Sequence, residues 1–178
     1  MKTYSVLFVC TGNICRSPTA DGVLRKKVDA SGLAACVTVD SAGTMDYHVG
    51  EPPDDRSQAH ARRRGYDLSA LRARQVQSAD FDRFELIVAM DDSHLHALQR
   101  QCPTGQKHKL KRFTAFCTQH TSHDVPDPYY GGAQGFEHVL DLVEAAGIPG
   151  WTAQKVQQKI EAALQHERVV NRSRSSLA

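Results

Sequence analysis

One stretch constrains this chain more than any other. An apolar run, Tyr4-Ser5-Val6-Leu7-Phe8-Val9, leads straight into Cys10-Thr11-Gly12-Asn13-Ile14-Cys15-Arg16-Ser17-Pro18. The run reads as a buried strand, and residues 10–18 read as a loop that opens a helix. Ser17-Pro18 supplies the helix start, with Ser expected at the N-cap and Pro at the first helical position. Ala20, Val23, Leu24 and Val28 then recur on one helical face.

The alternation continues along the chain. Val37 and Val39 alternate with polar residues in a second strand ending near Ser41. Residues 42–53, which hold Gly43, Gly50, Pro52 and Pro53, read as a loop. A helix is expected from about Asp54 to Arg64, stopped by Gly65. Leu86-Ile87-Val88-Ala89-Met90 reads as a buried strand, followed by a short helix carrying Leu95 and Leu98. Lys109 to Phe113 is a weaker fourth strand. Residues 118–132 read as a loop, and Gln134 to Ala146 is amphipathic, with Phe136, Val139, Leu140 and Val143 on one face. Strands and helices in this order imply an α/β fold: a single domain with a four-stranded parallel sheet and helices on both faces. Such sheets bind ligands beyond the carboxyl ends of their strands. Cys10, at the first such end, is therefore singled out by position.

The residues around Cys10 fit an anion cradle. Consecutive backbone N–H groups in a strand-to-helix loop can converge on an anion, and a helix N-terminus adds unpaired N–H groups and a positive dipole end. Gly12 and Asn13 tolerate the unusual backbone angles that a tight cradle needs. Arg16 can clamp two phosphate oxygens at once. All of these favour a thiolate at Cys10, which makes it a nucleophile aimed at phosphorus. Cys followed six positions later by Arg is weak by itself, and a strand Cys is usually a small hydrophobe. The argument rests on the conjunction of strand, Cys, Gly-Asn, Arg, Ser-Pro and amphipathic helix. No Gly-x4-Gly-Lys-Ser/Thr occurs, which excludes a nucleotide-type phosphate loop.

Composition narrows the setting. With 178 residues, 40% of them hydrophobic, the chain can bury the core of one domain. Its 22 Lys and Arg nearly balance 20 Asp and Glu, a net charge of +2, which argues against a nucleic-acid binder. Its apolar runs fall far short of the ~20 residues that span a bilayer, so no membrane insertion is expected. The N-terminal apolar run ends at Cys10 and Gly12, too early for a signal peptide. Five widely spread cysteines without Cys-x-x-Cys fit a reduced, cytoplasmic protein. Cys36, Cys102 and Cys117 have no assigned chemistry. Among the nine His, His94 and His96 point apart on a helix, while His120 and His123 lie in a loop near Cys117. No metal site and no cofactor are expected. Arg62-Arg63-Arg64 reads as a solvated helix end.

The stretch Val9 to Pro18 resembles the signature of low-molecular-weight protein tyrosine phosphatases. The resemblance continues through Asp40-Ser41-Ala42-Gly43-Thr44, Gly50-Glu51-Pro52-Pro53-Asp54, Ala73-Arg74-Gln75-Val76, Met90-Asp91 and Asp127-Pro128-Tyr129-Tyr130-Gly131, and covers about residues 4 to 146. It implies a Rossmann-like phosphatase fold acting on phosphotyrosine-containing proteins. Cys10 would be the nucleophile that forms a phosphocysteine. Arg16 would bind the phosphoryl oxygens. Asp127 would protonate the leaving phenolate and then activate water. Asp-Pro in a Gly-rich loop is otherwise turn punctuation, and nearby Asp124 lacks the Pro-Tyr-Tyr that comes after Asp127. Thr11, Gly12, Asn13, Ile14, Cys15 and Ser17 would complete the phosphate loop. Asn13 would shape it, and Ser41 would hydrogen-bond Asn13. The Ser17 hydroxyl would support the thiolate, or simply cap the helix. Cys15 would form a protective disulfide with Cys10 under oxidation, or be an inert thiol. Tyr47, Tyr129 and Tyr130 would wall the pocket.

Three alternatives share the loop. Arsenate reductases carry an extra cysteine pair after the third strand, where this chain has none before Cys102. Protein-arginine phosphatases carry Thr where Ile14 stands. A phosphotyrosine-binding module without catalysis is opposed by the joint presence of Cys10, Arg16 and Asp127. The chain departs from the family after residue 146. Gly147-Ile148-Pro149-Gly150 breaks the preceding helix, Trp151 opens a further helix from about Thr152 to His166, and Val169 to Ala178 reads as a frayed tail. The expected division is therefore a catalytic domain, 1–146, and a C-terminal extension, 147–178.

Overall fold

The computed structural model describes residues 4–117 and 123–146. Four strands, β1 (Tyr4–Cys10), β2 (Val37–Gly43), β3 (Leu86–Ala89) and β4 (Leu110–Arg112), form one sheet in the order β2-β1-β3-β4. Every pairing in it is parallel. The helices are α1 (Arg16–Ala30), α2 (Asp55–Arg63), α3 (Ser78–Arg83), α4 (Asp92–Gln101) and α5 (Ala133–Ala145). This is the α/β architecture expected from the alternating pattern.

Burial explains the unbroken apolar run of β1. Val6, Leu7, Phe8 and Val9 are all 1% exposed or less. Successive side chains enter opposite layers. Val6, Phe8 and Cys10 join one core with Ala20, Val23 and Leu24 of α1 and Val139, Leu140 and Val143 of α5. Leu7 and Val9 join the other with Phe81 of α3, Phe84 and Leu98 of α4. Each such buried Val, Leu or Phe contributes about 1.5–3 kcal/mol relative to exposure, so the central strand is anchored from both faces.

The strand order also locates the site. From β1 the chain goes out to β2 on one side and comes back to β3 on the other. The crevice beyond the carboxyl ends of β1 and β3 is where ligands bind in such sheets. Cys10 stands at one lip, and Asp91, just past β3, at the other.

Several local expectations are corrected. Helix α1 starts at Arg16 with Cys15 at the N-cap, so Ser17 and Pro18 occupy the second and third helical positions. Pro is tolerated there because the first four helical N–H groups lack intrahelical partners anyway. Helix α3 has too few residues to show a period in the sequence. It is held by Gln77 and Asp80, whose carboxylate accepts the Gln77 N–H at 2.8 Å. Phe113 is not in the fourth strand but opens a 3-10 turn, Phe113–Phe116, and a second such turn covers Thr104–Lys109.

The arginine cluster is also not uniformly solvated. Arg62 and Arg63 are exposed, but Arg64 fans onto Glu137, Asp141 and Glu144, reaching the last two at 2.8 and 2.7 Å. His60 pairs with Glu137 as well and stacks on Phe136, their ring centroids 5.7 Å apart. These contacts clamp α2 onto α5. The expected helix 152–166, Trp151, the 147–150 break, the tail and His120 lie outside the described residues.

Candidate active site

The loop after β1 is shaped by backbone close approach. Asn13 has φ +56° and is the non-glycine residue with a left-handed backbone among those described. Its side chain ties that conformation down. Oδ1 accepts the Arg74 N–H at 3.0 Å, and Nδ2 donates to Ser17 Oγ at 2.9 Å. Gly12, expected to need an unusual angle, lies outside the left-handed region and is needed instead for its size. A Cβ there would lie 2.8 Å from His48 Cδ2. Gly43 is more tightly held, since its Cβ would lie 2.6 Å from Thr11 O and 2.9 Å from Met45 O. Residues 43–45 run alongside the loop, with Thr44 N–H donating to Cys10 O at 2.8 Å and Met45 N–H to Thr11 O at 3.0 Å.

Cys10 is 3% exposed, and its Sγ lies 3.0 Å from Ser17 Oγ. Ser17 Oγ already accepts the Asn13 amide, so its single proton is free to be donated. The sulfur is nearer than the alternative acceptor, Ala42 O at 3.4 Å. Toward a Cys10 thiolate, which has no proton to give, Ser17 is the donor. It does not cap the helix, because it lies inside it.

Arg16, 4% exposed, gathers the acids. Its Nη1 donates to Asp91 Oδ2 at 2.8 Å and to Val125 O at 3.2 Å. Its Nη2 donates to Asp127 Oδ2 at 2.9 Å and to Thr11 Oγ1 at 3.5 Å. Burial works against ionisation of Asp91, but the nearby His94 imidazole and the hydrogen bonds from the Ser93 hydroxyl and the His94 N–H outweigh it and hold the carboxyl well below the usual range. Asp127 Oδ1 accepts the Tyr129 N–H at 3.0 Å, so this residue is also the turn element that Asp-Pro normally makes. Its rival Asp124 instead accepts the Asp92 N–H at 3.1 Å.

These groups surround a cleft of about 240 Å³. Cys10, Thr11, Gly12, Ile14, Cys15, Arg16, Asp127, Tyr47, Tyr129 and Tyr130 line it, as expected, together with His48. Tyr47 and Tyr130 are 70% and 93% exposed at its mouth. Tyr129 meets Tyr130 edge to face at 5.0 Å. Arg56 donates to Tyr129 O at 3.1 Å and covers the Tyr129 ring, so the start of α2 braces the Asp127 loop. Burial pushes the Cys15 thiol up to about 12, helped by the negative charge of Asp54.

Three expected contributors take other places. The side chains of Asn13 and Ser17 do not line the cleft but lie buried behind its floor. Ser41 does not bond Asn13, whose partners are Ser17 and Arg74. The Ser41 hydroxyl faces the buried Asp21 carboxyl instead. Sequence reasoning left Asp91, His94, His48 and Arg56 without roles. Asp91 had one signal, its place just past the third strand. The others had none, because the contacts that tie them to the site are long-range: His94 meets Thr11 across 83 positions, Arg56 meets Tyr129 across 73, and His48 lies against Gly12.

The family profile described as low molecular weight phosphotyrosine protein phosphatase matches residues 5–165. A low molecular weight protein-tyrosine-phosphatase of Streptomyces coelicolor is 49% identical over 147 residues, 81% of this chain and 89% of that one. A human low molecular weight phosphotyrosine protein phosphatase is 42% identical over 139 residues, 77% of this chain and 87% of that one. The crystal structure of a protein tyrosine phosphatase from Entamoeba histolytica, with Hepes in its active site, superposes with a TM-score of 0.80 at 38% identity. It covers 90% of this chain and 99% of the other.

Proposed function

This chain belongs to the low molecular weight phosphotyrosine protein phosphatase family; it is a protein-tyrosine-phosphatase, and we propose that it hydrolyses phosphotyrosine in proteins, and small aryl phosphates, through a phosphocysteine intermediate. The Cys10 thiolate attacks phosphorus. A sulfur–phosphorus bond forms as the bond to the phenolic oxygen breaks, and Asp127 gives its proton to the departing oxygen. Asp127 then takes a proton from water, which attacks phosphorus and returns the thiolate with release of inorganic phosphate. Arg16 and the loop N–H groups meet the charge on the equatorial oxygens, and preorganised donors of this kind need not reorient during the reaction.

One observation carries the reading. Cys10, Arg16 and Asp127 converge on a single cleft, with a hydroxyl donor 3.0 Å from the sulfur. Ile14 and the tyrosines give that cleft apolar walls, which suit an aryl ester. We assign the chemistry to these residues without a metal, since Arg16 and the loop supply the positive charge that phosphoryl transfer needs. The cytoplasmic assignment rests on the five free thiols, one of them the proposed nucleophile. No helix among the described residues is long and apolar enough to cross a membrane.

The test is hydrolysis of p-nitrophenyl phosphate and of a phosphotyrosine peptide. Turnover is expected to persist in EDTA and to vanish in Cys10→Ser. Retained turnover in that variant overturns the nucleophile assignment.

A further inference from the structure

The buried His94 imidazole is 2% exposed and touches the phosphate loop from behind. Its Nε2 lies 2.8 Å from Thr11 Oγ1, a partner 83 positions away in sequence. Its Nδ1 lies 2.8 Å from Asp91 Oδ1, at ion-pair distance but out of hydrogen-bond alignment. The other Asp91 oxygen accepts from Arg16, and Arg16 in turn reaches Thr11 Oγ1. Arg16, Asp91, His94 and Thr11 thus close a ring that joins the start of α1, the end of β3 and the loop after β1.

The chemistry of the ring orders its protons. A carboxylate 2.8 Å from Nδ1 repels a bare lone pair, so Nδ1 carries a proton. With the ring neutral, Nε2 is then the acceptor of a hydrogen bond donated by the Thr11 hydroxyl. The Thr11 oxygen is left with its lone pairs toward Arg16. Resting on the phosphatase reading above, we propose that His94 is a positioning residue: it sets the direction of the Thr11 hydroxyl and of the Asp91 carboxylate, and through both of them the plane of the Arg16 guanidinium. His94 does not touch the reacting phosphoryl group. It acts by keeping the Arg16 fork where the equatorial oxygens must sit.

A double-mutant cycle on kcat and KM for p-nitrophenyl phosphate tests this. His94→Ala and Thr11→Val should each lower kcat about 10- to 100-fold with a smaller change in KM, the size expected when a catalytic group is displaced by a remote change. Because both break the same ring, the double variant should be no worse than the poorer single one. Thr11→Ser keeps the hydroxyl and should stay within a few-fold of wild type, and His94→Gln should recover part of the loss. Losses that multiply in the double variant, or equal losses in Thr11→Val and Thr11→Ser, overturn the proposal. The Thr11 pair decides the matter even if His94→Ala does not fold. Absence of turnover in the wild-type chain would count against the phosphatase reading instead. The ring is then judged by inorganic phosphate titrated calorimetrically into the full chain, where Thr11→Val should weaken binding and Thr11→Ser should not; equal binding by both overturns it.

Discussion

Arg16 Nη2 donates to Asp127 Oδ2 across 2.9 Å, so the group proposed to grip phosphoryl oxygens and the group proposed to move the proton hold one another. Arg16 is 5% exposed in its side chain and Asp127 43%, which places the contact at the boundary between the buried loop and the cleft mouth. The geometry requires a forked cation. One terminal nitrogen, Nη1, holds Asp91 while the other, Nη2, serves the cleft, and a lysine point charge cannot do both. Arg16→Lys should therefore lower kcat/KM by about 10³-fold or more, in the range of a transition-state arginine. Asp127→Ala should cost about 10²- to 10⁴-fold for phenyl phosphate and much less for p-nitrophenyl phosphate, whose leaving group needs little help. A loss that ignores leaving-group acidity would show that Asp127 is not the acid.

Ser17→Ala removes the donor 3.0 Å from the sulfur and strands the Asn13 amide that bonded to it. A lost hydrogen bond to a charged group costs about 1.5–3 kcal/mol. Turnover should fall by roughly 10- to 100-fold by the same measure, and alkylation of Cys10 by iodoacetate should slow. Unchanged alkylation would leave Ser17 with a purely structural place behind the floor.

Asp91 sets a pH dependence of stability. Its folded-state value lies below the unfolded one of about 3.9. As pH falls, the unfolded chain takes up the proton first. The contribution of Asp91 is thus fully present above about pH 4 and is lost as pH falls toward the folded-state value. Urea midpoints measured between neutral and strongly acidic pH should fall less steeply for Asp91→Asn than for wild type. Parallel curves would mean that the ring around Asp91 adds nothing to folding.

Gly43→Ala puts a methyl group against two backbone carbonyl oxygens, neither of which can swing aside. Overpacking of this kind costs about 1–3 kcal/mol, and here the strain falls on the loop that carries Cys10. Both the thermal midpoint and kcat should drop. Gly105→Ala, with nothing within 4 Å of the added carbon and a place away from the cleft, should change neither and serves as the control.

Legibility in the sequence depends on range along the chain. The run into Cys10, the helical spacing of Ala20, Val23, Leu24 and Val28, and the stop at Gly65 are local signals, because side-chain period and turn chemistry act over a few residues. They were enough for the α/β architecture and for Cys10 and Arg16 on one loop. Asp127 came from family resemblance, since nothing local separates a proton donor from a turn aspartate, and the structure shows it making the turn contact as well.

The sequence by itself determined the strand, the loop and the cation proposed to bind anions, because those are adjacent residues. Tertiary structure alone decided what holds them in place. Asp91 and Asp127 reach Arg16 from 75 and 111 residues away, Arg74 bonds Asn13 from 61, and His94 meets Thr11 from 83. Such pairs leave no period to read. They exist because the parallel sheet brings the carboxyl ends of β2, β1 and β3 side by side, where buried polar groups must find one another once water is excluded.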